Sequence, residues 1–335
     1  MIYMKLLVTG GLGFIGSNFI IKLLKENENF EIINVDAGFA GSNTDNVTEV
    51  QNLKNYQFVQ GNITNKILME KLITKSDAVI NFAAETFVDK SIKDANPFLV
   101  SNIRGAFTLL DIVTKQKKRM IQISTDEIFG SLNTGSADEQ SKFNPSNPYA
   151  ATKAAAELLV NSYCKTFDSD IIITRCTNNY GPRQFAEKLI PKTIILAYQD
   201  KKIPIYGKGA NVRDWMFVDD HCNAILDVLQ NGDSGDSYNI SANNEISNLQ
   251  VVKTILKVLN KSEDLIEFVE DRPGHDFRYS LNSSKISKKL GWNVKASFED
   301  SIKKTIQWYL NNPDIFGNTS SITSDFTPWK NSNKQ

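Results

Sequence analysis

The chain has 335 residues, with 38 Lys plus Arg against 38 Asp plus Glu, so its formal net charge is zero and no general field draws in nucleic acid or an anionic membrane. Hydrophobic residues at 41%, charged residues at 23% and only 9 Pro describe a folded globular chain of about two domains rather than a disordered one. Three dispersed cysteines (Cys164, Cys176, Cys222) and two histidines (His221, His275) argue against a disulfide framework, a zinc site or a Ser-His-Asp triad, and no metal is expected.

The first segment, MIYMKLLVTGG, lacks a charged lead and a small-residue cleavage site, so residues 5–8 (KLLV) read as a buried strand rather than a signal peptide. No apolar run reaches the roughly 18 residues needed to span a bilayer, and the cytoplasm is the expected location. The glycine-rich TGGLGFIG at 9–16 follows. Gly11, Gly13 and Gly16 fit G-x-G-x-x-G, and Gly10, Gly13 and Gly16 fit G-x-x-G-x-x-G. Either set permits a tight turn and lets a pyrophosphate approach a helix N-terminus, where free N–H groups and the helix dipole favour negative charge. The helix is announced by Ile15, Phe19 and Leu23 at i, i+4 and i+8. A second strand at 31–35 ends at Asp36, twenty residues after Gly16, where a carboxylate can accept from adenosine ribose hydroxyls. The following Ala37, Gly38 and Phe39 offer no cation for a 2′-phosphate, which favours NAD over NADP.

Further apolar strands are expected at 78–82, 120–124 and 170–174, alternating with helical patterns. Such alternation implies a parallel sheet covered on both faces. Ser124-Thr125-Asp126-Glu127 follows the strand at 120–124, where a doubly wound sheet carries its ligand. On a continuing strand Asp126 and Glu127 would point to opposite faces. Both reach a ligand only if the strand stops and the chain turns, and Gly130 suits that break. Adjacent carboxyls in different surroundings can divide acid and base roles. Tyr149 and Lys153 form Y-x-x-x-K just after Pro148, placing both on one helix face, with the lysine expected to draw the phenol towards base function near neutrality. Beyond about residue 177 the chain turns loop-rich, at 178–183 (NNYGPR), 204–209 (PIYGKG) and 271–275 (DRPGH), before a last amphipathic helix with Ile302, Ile306 and Leu310. The Asn/Ser/Thr-rich tail after about Asn311 reads as a surface wrap or disordered segment.

Together these residues resemble the dTDP-glucose 4,6-dehydratase family of extended short-chain dehydrogenase/reductases over about residues 4–310. The supporting segments are 81–90, 178–191, 204–209, 213–221, Asn248 and 271–276. The resemblance implies an α/β fold: a Rossmann-type doubly wound parallel sheet (1–177 plus 211–245) and a smaller mixed α/β substrate domain (178–210 plus 246–335). It implies a hydro-lyase that oxidises a nucleotide hexose at carbon 4, loses water across carbons 5 and 6, and returns hydride to carbon 6. Tyr149, set by Lys153 and helped by Thr125, would take the 4-hydroxyl proton; Glu127 would take the carbon 5 proton; Asp126, held neutral, would protonate the departing 6-hydroxyl. NAD would contact Gly10, Gly13, Phe14, Ile15, Gly16, Asp36, Asn62, Ile63, Ala83, Ala84, Ser101, Tyr149, Lys153 and Asn179. The sugar nucleotide would contact Thr86, Asn178, Lys188, Leu189, Pro204, Ile205, Tyr206, Arg213, Asn248, Asp271, Arg272 and His275. A homodimer through Rossmann helices is implied, with Phe107, Leu110 and Val113 on one candidate helix and Leu158 and Leu159 on another.

Three positions depart from the family pattern. Asn62 replaces an Asp near the adenine, with an amide oxygen still able to accept. Phe129 replaces the Tyr after the acid pair, and the loop after Asp36 is short and lacks a lysine. His275 is expected to line the substrate without a carboxylate partner, and His221 to be structural. Of the 38 basic residues only 7 are Arg, and Arg183, Arg213, Arg272 and Arg278 all fall in or beside the substrate segments, where a planar fork suits a diphosphate. UDP-glucose or another hexose as substrate, 4-epimerisation, and non-catalytic NAD binding remain the competing readings.

Overall fold

A computed structural model describes residues 4–27 and 29–316. The first part runs β1 (Met4–Thr9), α1 (Phe14–Glu26), β2 (Phe30–Asp36), β3 (Tyr56–Gln60), α2 (Lys66–Thr74), β4 (Ala78–Asn81), α3 (Val88–Lys93) and α4 (Asn96–Phe98). A π-helical stretch, Leu99–Gly105, leads into α5 (Ala106–Gln116), followed by β5 (Arg119–Thr125), α6 (Pro148–Phe167) and β6 (Ile171–Cys176). Next come β7 (Asn178–Tyr180), α7 (Leu189–Tyr198), β8 (Ile203–Tyr206), β9 (Val212–Phe217), α8 (Val218–Asn231) and β10 (Ser237–Ile240). The chain closes with β11 (Glu245–Ser247), α9 (Asn248–Leu259), β12 (Ile266–Val269), α10 (Ser284–Leu290) and α11 (Phe298–Asn311).

Seven strands form one parallel sheet in the order β10-β6-β5-β4-β1-β2-β3. Its inner strands are mostly apolar on both faces because both are covered. Leu6, Val8 and Ile32 pack beneath α1 and α8 with Phe19, Leu23, Ile225 and Val228. Leu7, Ile33 and Val79 pack on the opposite side with Met69, Leu109, Val113 and Val160 of α2, α5 and α6. Each such side chain removed from water contributes about 1.5–3 kcal/mol. The fold is the expected Rossmann-type α/β arrangement, with two strands the sequence did not announce. β3 is an edge strand in which only Tyr56 is buried, and β10 is a short, polar SYNI.

Strand order reverses between β1 and β4, which opens a crevice at the carboxyl ends of the strands. A three-stranded sheet (β11-β9-β7) and a two-stranded pair (β12-β8) lie outside the large sheet. Their own core joins Ile194 and Ile195 of α7, Val251 and Ile255 of α9, and Ile302 and Ile306 of α11. Leu310 packs against that core half-buried, as the helical spacing predicts. Ile286 of α10 and Trp292 return to the core of the seven-stranded sheet. Most of the tail whose order the sequence raised, residues 317–335, lies outside the described residues.

Candidate active site

The crevice floor is built by glycine. Gly10 has φ +72°, and a Cβ on it would stand 2.6 Å from Ala83 N; a Cβ on Gly16 would stand 2.5 Å from the Gly10 carbonyl. Gly13 caps α1 without a side-chain hydrogen bond, which leaves the helix N-terminus to a ligand. Gly10, Gly13 and Gly16 line the cleft with Phe14 and Ile15, whereas a Cβ on Gly11 would meet the Asn34 side chain at 2.2 Å. The ligand-facing set is therefore Gly10, Gly13 and Gly16, and Gly11 serves packing. Asp36 also lines the cleft. Its carboxylate accepts from Leu12 N at 3.0 Å, and from Gly38 N and Ser42 Oγ at 2.8 Å each. A carboxylate has about four acceptor positions, so one remains for a ribose hydroxyl. These residues fit an NAD adenosine and pyrophosphate. Asn62, Ile63, Ala83, Ala84, Ser101 and Asn179 complete the wall. The Asn62 oxygen turns away from its expected use: it accepts from Thr64 N and Oγ1 at 2.9 Å each, so its amide Nδ2 is the group offered to a ligand.

At the far end of the crevice, β5 stops at Thr125 and the chain coils through a single 3₁₀ turn, Asp126–Phe129. Thr125 Oγ1 caps that turn by accepting from Glu127 N at 3.3 Å and donates to Asp126 Oδ1 at 3.1 Å. Gly130 ends it at φ +66°, where a Cβ would lie 2.2 Å from the Asn144 carbonyl. Both carboxyls consequently line the cleft. Burial, and then the neighbouring Glu127 charge, push the Asp126 carboxyl well above the ordinary carboxylate range. Its Oδ2 has no hydrogen-bond partner within the protein. Glu127 Oε2 accepts from Asn147 Nδ2 at 3.5 Å and lies 3.4 Å from Tyr279 Oη, whose proton goes to the nearer Asp276 Oδ2 at 2.7 Å.

Asn147 caps α6 and Pro148 occupies its first turn, which sets Tyr149 and Lys153 one turn apart against the cleft. Lys153 Nζ donates to the Ile123 carbonyl at 2.6 Å, and burial pulls its pKa down to about 8. Tyr149 hydrogen-bonds Thr125, yet burial and the Glu127 charge hold its phenol well above 10. The lysine is expected to draw this phenol towards neutrality, but burial and the Glu127 charge raise it instead.

The substrate-side residues separate into groups. Thr86, Asn178 and Lys188 line the crevice, and Lys188 Nζ donates to the Thr86 carbonyl at 3.2 Å. Arg272 pairs with Asp89 at 3.1 Å while its buried Nε has no partner. Tyr206 Oη donates to the same Asp89 at 3.4 Å. Arg213 donates to the backbone carbonyls of Val212, Phe277 and Asp276 and lies 4.3 Å over the Tyr279 ring. Leu189 and Ile205 pack with the core around α7 and α9. Pro204 is buried in β8, and Asn248 opens α9 with its N–H donating to the Asn211 carbonyl. None of these last four reaches the crevice wall.

His275 does have a carboxylate partner. Its Nδ1 lies 2.6 Å from Asp271 Oδ1, and burial together with Arg272 lowers its pKa to about 4, so the neutral ring donates to Asp271. Arg183 and Arg278 are engaged away from the substrate segments, Arg183 with Asn18, Asn46 and Glu49, and Arg278 with Glu245. His221 is fully buried beside Asn179 Oδ1 at 3.0 Å.

The sequence reading missed Phe39, Ser42, Phe82, Glu85, Phe87 and Gln184 on the wall. Glu85, adjacent to the expected Thr86, has its carboxyl pushed up by burial. Its backbone is clamped by Asn102, which accepts from Glu85 N at 2.8 Å and donates to Glu85 O and Thr152 Oγ1 at 3.0 Å each.

A Rossmann crevice with a tyrosine and lysine one helical turn apart defines the extended short-chain dehydrogenase/reductase class. A family model described as GDP-mannose 4,6 dehydratase matches residues 7–305. The low-salt glycan biosynthesis protein Agl12 of Haloferax volcanii is 46% identical over 92% of this chain and 99% of its own length. A dTDP-glucose 4,6-dehydratase of Streptomyces niveus is 41% identical over 92% of this chain and 94% of its own. The crystal structure of DesIV, a dTDP-glucose 4,6-dehydratase from Streptomyces venezuelae with NAD and TYD bound, superposes with a TM-score of 0.90 at 38% identity, covering 96% of this chain and 99% of that one. The chain belongs to the dTDP-glucose 4,6-dehydratase family.

Proposed function

We propose that the chain is an NAD-dependent hydro-lyase that converts dTDP-glucose to dTDP-4-keto-6-deoxyglucose. The observation that carries this reading is the Asp126-Glu127 turn, which brings two adjacent carboxyls into the crevice with Asp126 held neutral. Bound NAD supplies the reversible two-electron chemistry at the sugar. Gly10, Gly13, Gly16 and Asp36 would hold it, and Tyr149 and Lys153 line the same crevice.

Tyr149 takes the proton of the sugar 4-hydroxyl. Burial favours the protonated phenol, so its base form needs a positive charge beside it, and Lys153 is the chain's own cation there. Once carbon 4 is a carbonyl, the hydrogen on carbon 5 becomes acidic. Glu127 removes it as a carboxylate. Asp126, which retains its proton, delivers it to the 6-hydroxyl as that group departs as water. Lys188 and Arg272, whose Nε is unspent, suit the diphosphate. In this reading 1–177 plus 211–245 bind NAD, and 178–210 plus 246–335 bind the sugar nucleotide.

A homodimer belongs to the same proposal. Phe107 is 45% and Leu158 60% exposed on neighbouring α5 and α6, an apolar face that a second copy would cover, whereas Leu110 and Val113 lie in the subunit core and Leu159 packs against it. Leu158→Glu should yield a monomer by sedimentation. Among the described residues no helix is long and apolar enough to cross a membrane. The cytoplasm, where NAD and nucleotide sugars are made, is the proposed location.

The function is tested by supplying dTDP-glucose and UDP-glucose separately, without reductant, and weighing the products. Loss of one water from dTDP-glucose is expected. Unchanged mass with altered stereochemistry would replace dehydration by epimerisation, and preference for UDP-glucose would reassign the base.

A further inference from the structure

Glu127 must give up the proton it takes from carbon 5, and the structure supplies a route behind it. Tyr279 Oη stands 3.4 Å from Glu127 Oε2 on one side and 2.7 Å from Asp276 Oδ2 on the other. Ser146 Oγ donates to the same Asp276 oxygen. Tyr279 and Asp276 are buried, and Ser146 is exposed on the surface. We propose that Tyr279, Asp276 and Ser146 form a relay that exchanges the proton on Glu127 with solvent while the sugar nucleotide fills the crevice. The inference rests on the dehydratase reading above.

The geometry favours transfer in one direction at a time. A phenol has one proton, and the shorter contact assigns it to Asp276. The Tyr279 oxygen then presents lone pairs to Glu127. When Glu127 becomes protonated, its Oε2–H donates to Tyr279, the phenol proton passes to Asp276, and the proton on Asp276 leaves by way of Ser146 and surface water. The reverse sequence recharges Glu127 with a solvent proton, which it delivers to carbon 5 when the product is completed. No atom is gained or lost, and each member returns to its starting state. The Arg213 guanidinium, 4.3 Å over the Tyr279 ring and bonded to the Asp276 carbonyl, fixes both members and stabilises transient negative charge on the phenol oxygen. Asn147, the other contact to Glu127 Oε2, caps α6 and keeps that oxygen turned towards the relay.

The test is turnover of unlabelled dTDP-glucose in deuterium oxide, with deuterium at carbon 5 of the product read by NMR and mass. The native protein should place deuterium at carbon 5 in most turnovers. Tyr279→Phe lacks the relay oxygen and Asp276→Asn lacks a proton acceptor, so in each the original proton should return to carbon 5 in most turnovers. A merely structural role would slow turnover without changing this isotope ratio. Native-level deuterium in either folded variant, or retention of the original hydrogen by the native protein, overturns the relay and leaves the dehydratase reading intact. Absence of water loss in the native protein overturns both.

Discussion

The Lys153 ammonium is bonded to the Ile123 carbonyl of the neighbouring strand, which ties α6 to β5 two residues short of Thr125. The contact aligns Tyr149 with the acid pair, but it does so by burying a charge.

That burial has a sign that can be measured. With a folded pKa of about 8 against about 10.5 unfolded, the native protein holds fewer protons than the unfolded chain between those values, so stability rises with pH across that window. Below pH 8 the cost is fully present, about 3 kcal/mol by the size of the shift. Losing the bond to Ile123 takes back about 1 kcal/mol. Lys153→Met should therefore stabilise the ligand-free protein at pH 7 by about 2 kcal/mol while lowering turnover at least about a hundredfold. Thermal melts at pH 7 and 10 check it. A lower Tm for the variant at pH 7 would contradict the account.

The glycines of the crevice floor separate fold from ligand. A Cβ on Gly13 meets only the Gly10 carbonyl at 3.2 Å, whereas one on Gly16 meets backbone at 2.5 and 2.9 Å. Gly13→Ala should fold with a small change in Tm and bind NAD at least about tenfold more weakly, because the methyl stands where the pyrophosphate approaches. Gly16→Ala should lose about 1–3 kcal/mol of stability. Calorimetry of NAD binding paired with melts distinguishes the two. Equal behaviour would mean that the helix N-terminus is not the phosphate site.

The acid pair divides its work by protonation state. Glu127→Gln and Asp126→Asn should each lower dehydration by about 10²–10⁴-fold. Both variants should still exchange a label at carbon 4, since Tyr149 and Lys153 are untouched. Glu127→Gln should also retain the hydrogen on carbon 5, whereas Asp126→Asn should release it before water loss. Isotope analysis of recovered dTDP-glucose reads both outcomes. Dehydration at the native rate in Glu127→Gln would remove that residue from its role.

His221 gives an acid-side prediction. Burial lowers its pKa to about 3, so the unfolded chain binds the extra proton between about pH 6.5 and 3. The stability it contributes is complete above pH 6.5 and is lost as pH falls towards 3. At pH 4.5 the loss should reach about 2–3 kcal/mol. His221→Gln, which keeps a donor for Asn179, should flatten urea midpoints between pH 7 and 4.5. An unchanged slope would mean that the ring is already charged in the folded protein.

The parts of this fold that are buried on both faces could be read from sequence, because continuous apolar runs such as III at 171–173 have few other solutions. β3 escaped because an edge strand needs only Tyr56 inside. The glycine motif was legible as chemistry but not as geometry. Gly10 and Gly11 fit its spacing equally well, and only the packing of Asn34 under Gly11 separates them. The turn at Asp126 followed from strand alternation once both carboxyls had to reach a ligand, with Gly130 suited to the break. The His275–Asp271 pair did not, since it depends on how the loop folds around Gly274 at φ +63°. Nor did the elevated phenol of Tyr149, because desolvation is a property of what surrounds a residue and not of its spacing.

The π-helical stretch before α5 carries a consequence for how this protein could change. It holds Asn102 where one side chain staples the Glu85 backbone to Thr152, between Tyr149 and Lys153. Deleting one residue from Leu99–Gly105 would restore the regular helical ladder, yet it would swing Asn102 about 100° around the axis and release both contacts. Regularity of the helix and the contacts of Asn102 are thus set against each other within seven residues. A lineage that straightened this helix would lose the joint between the Glu85 backbone and the helix that carries its tyrosine.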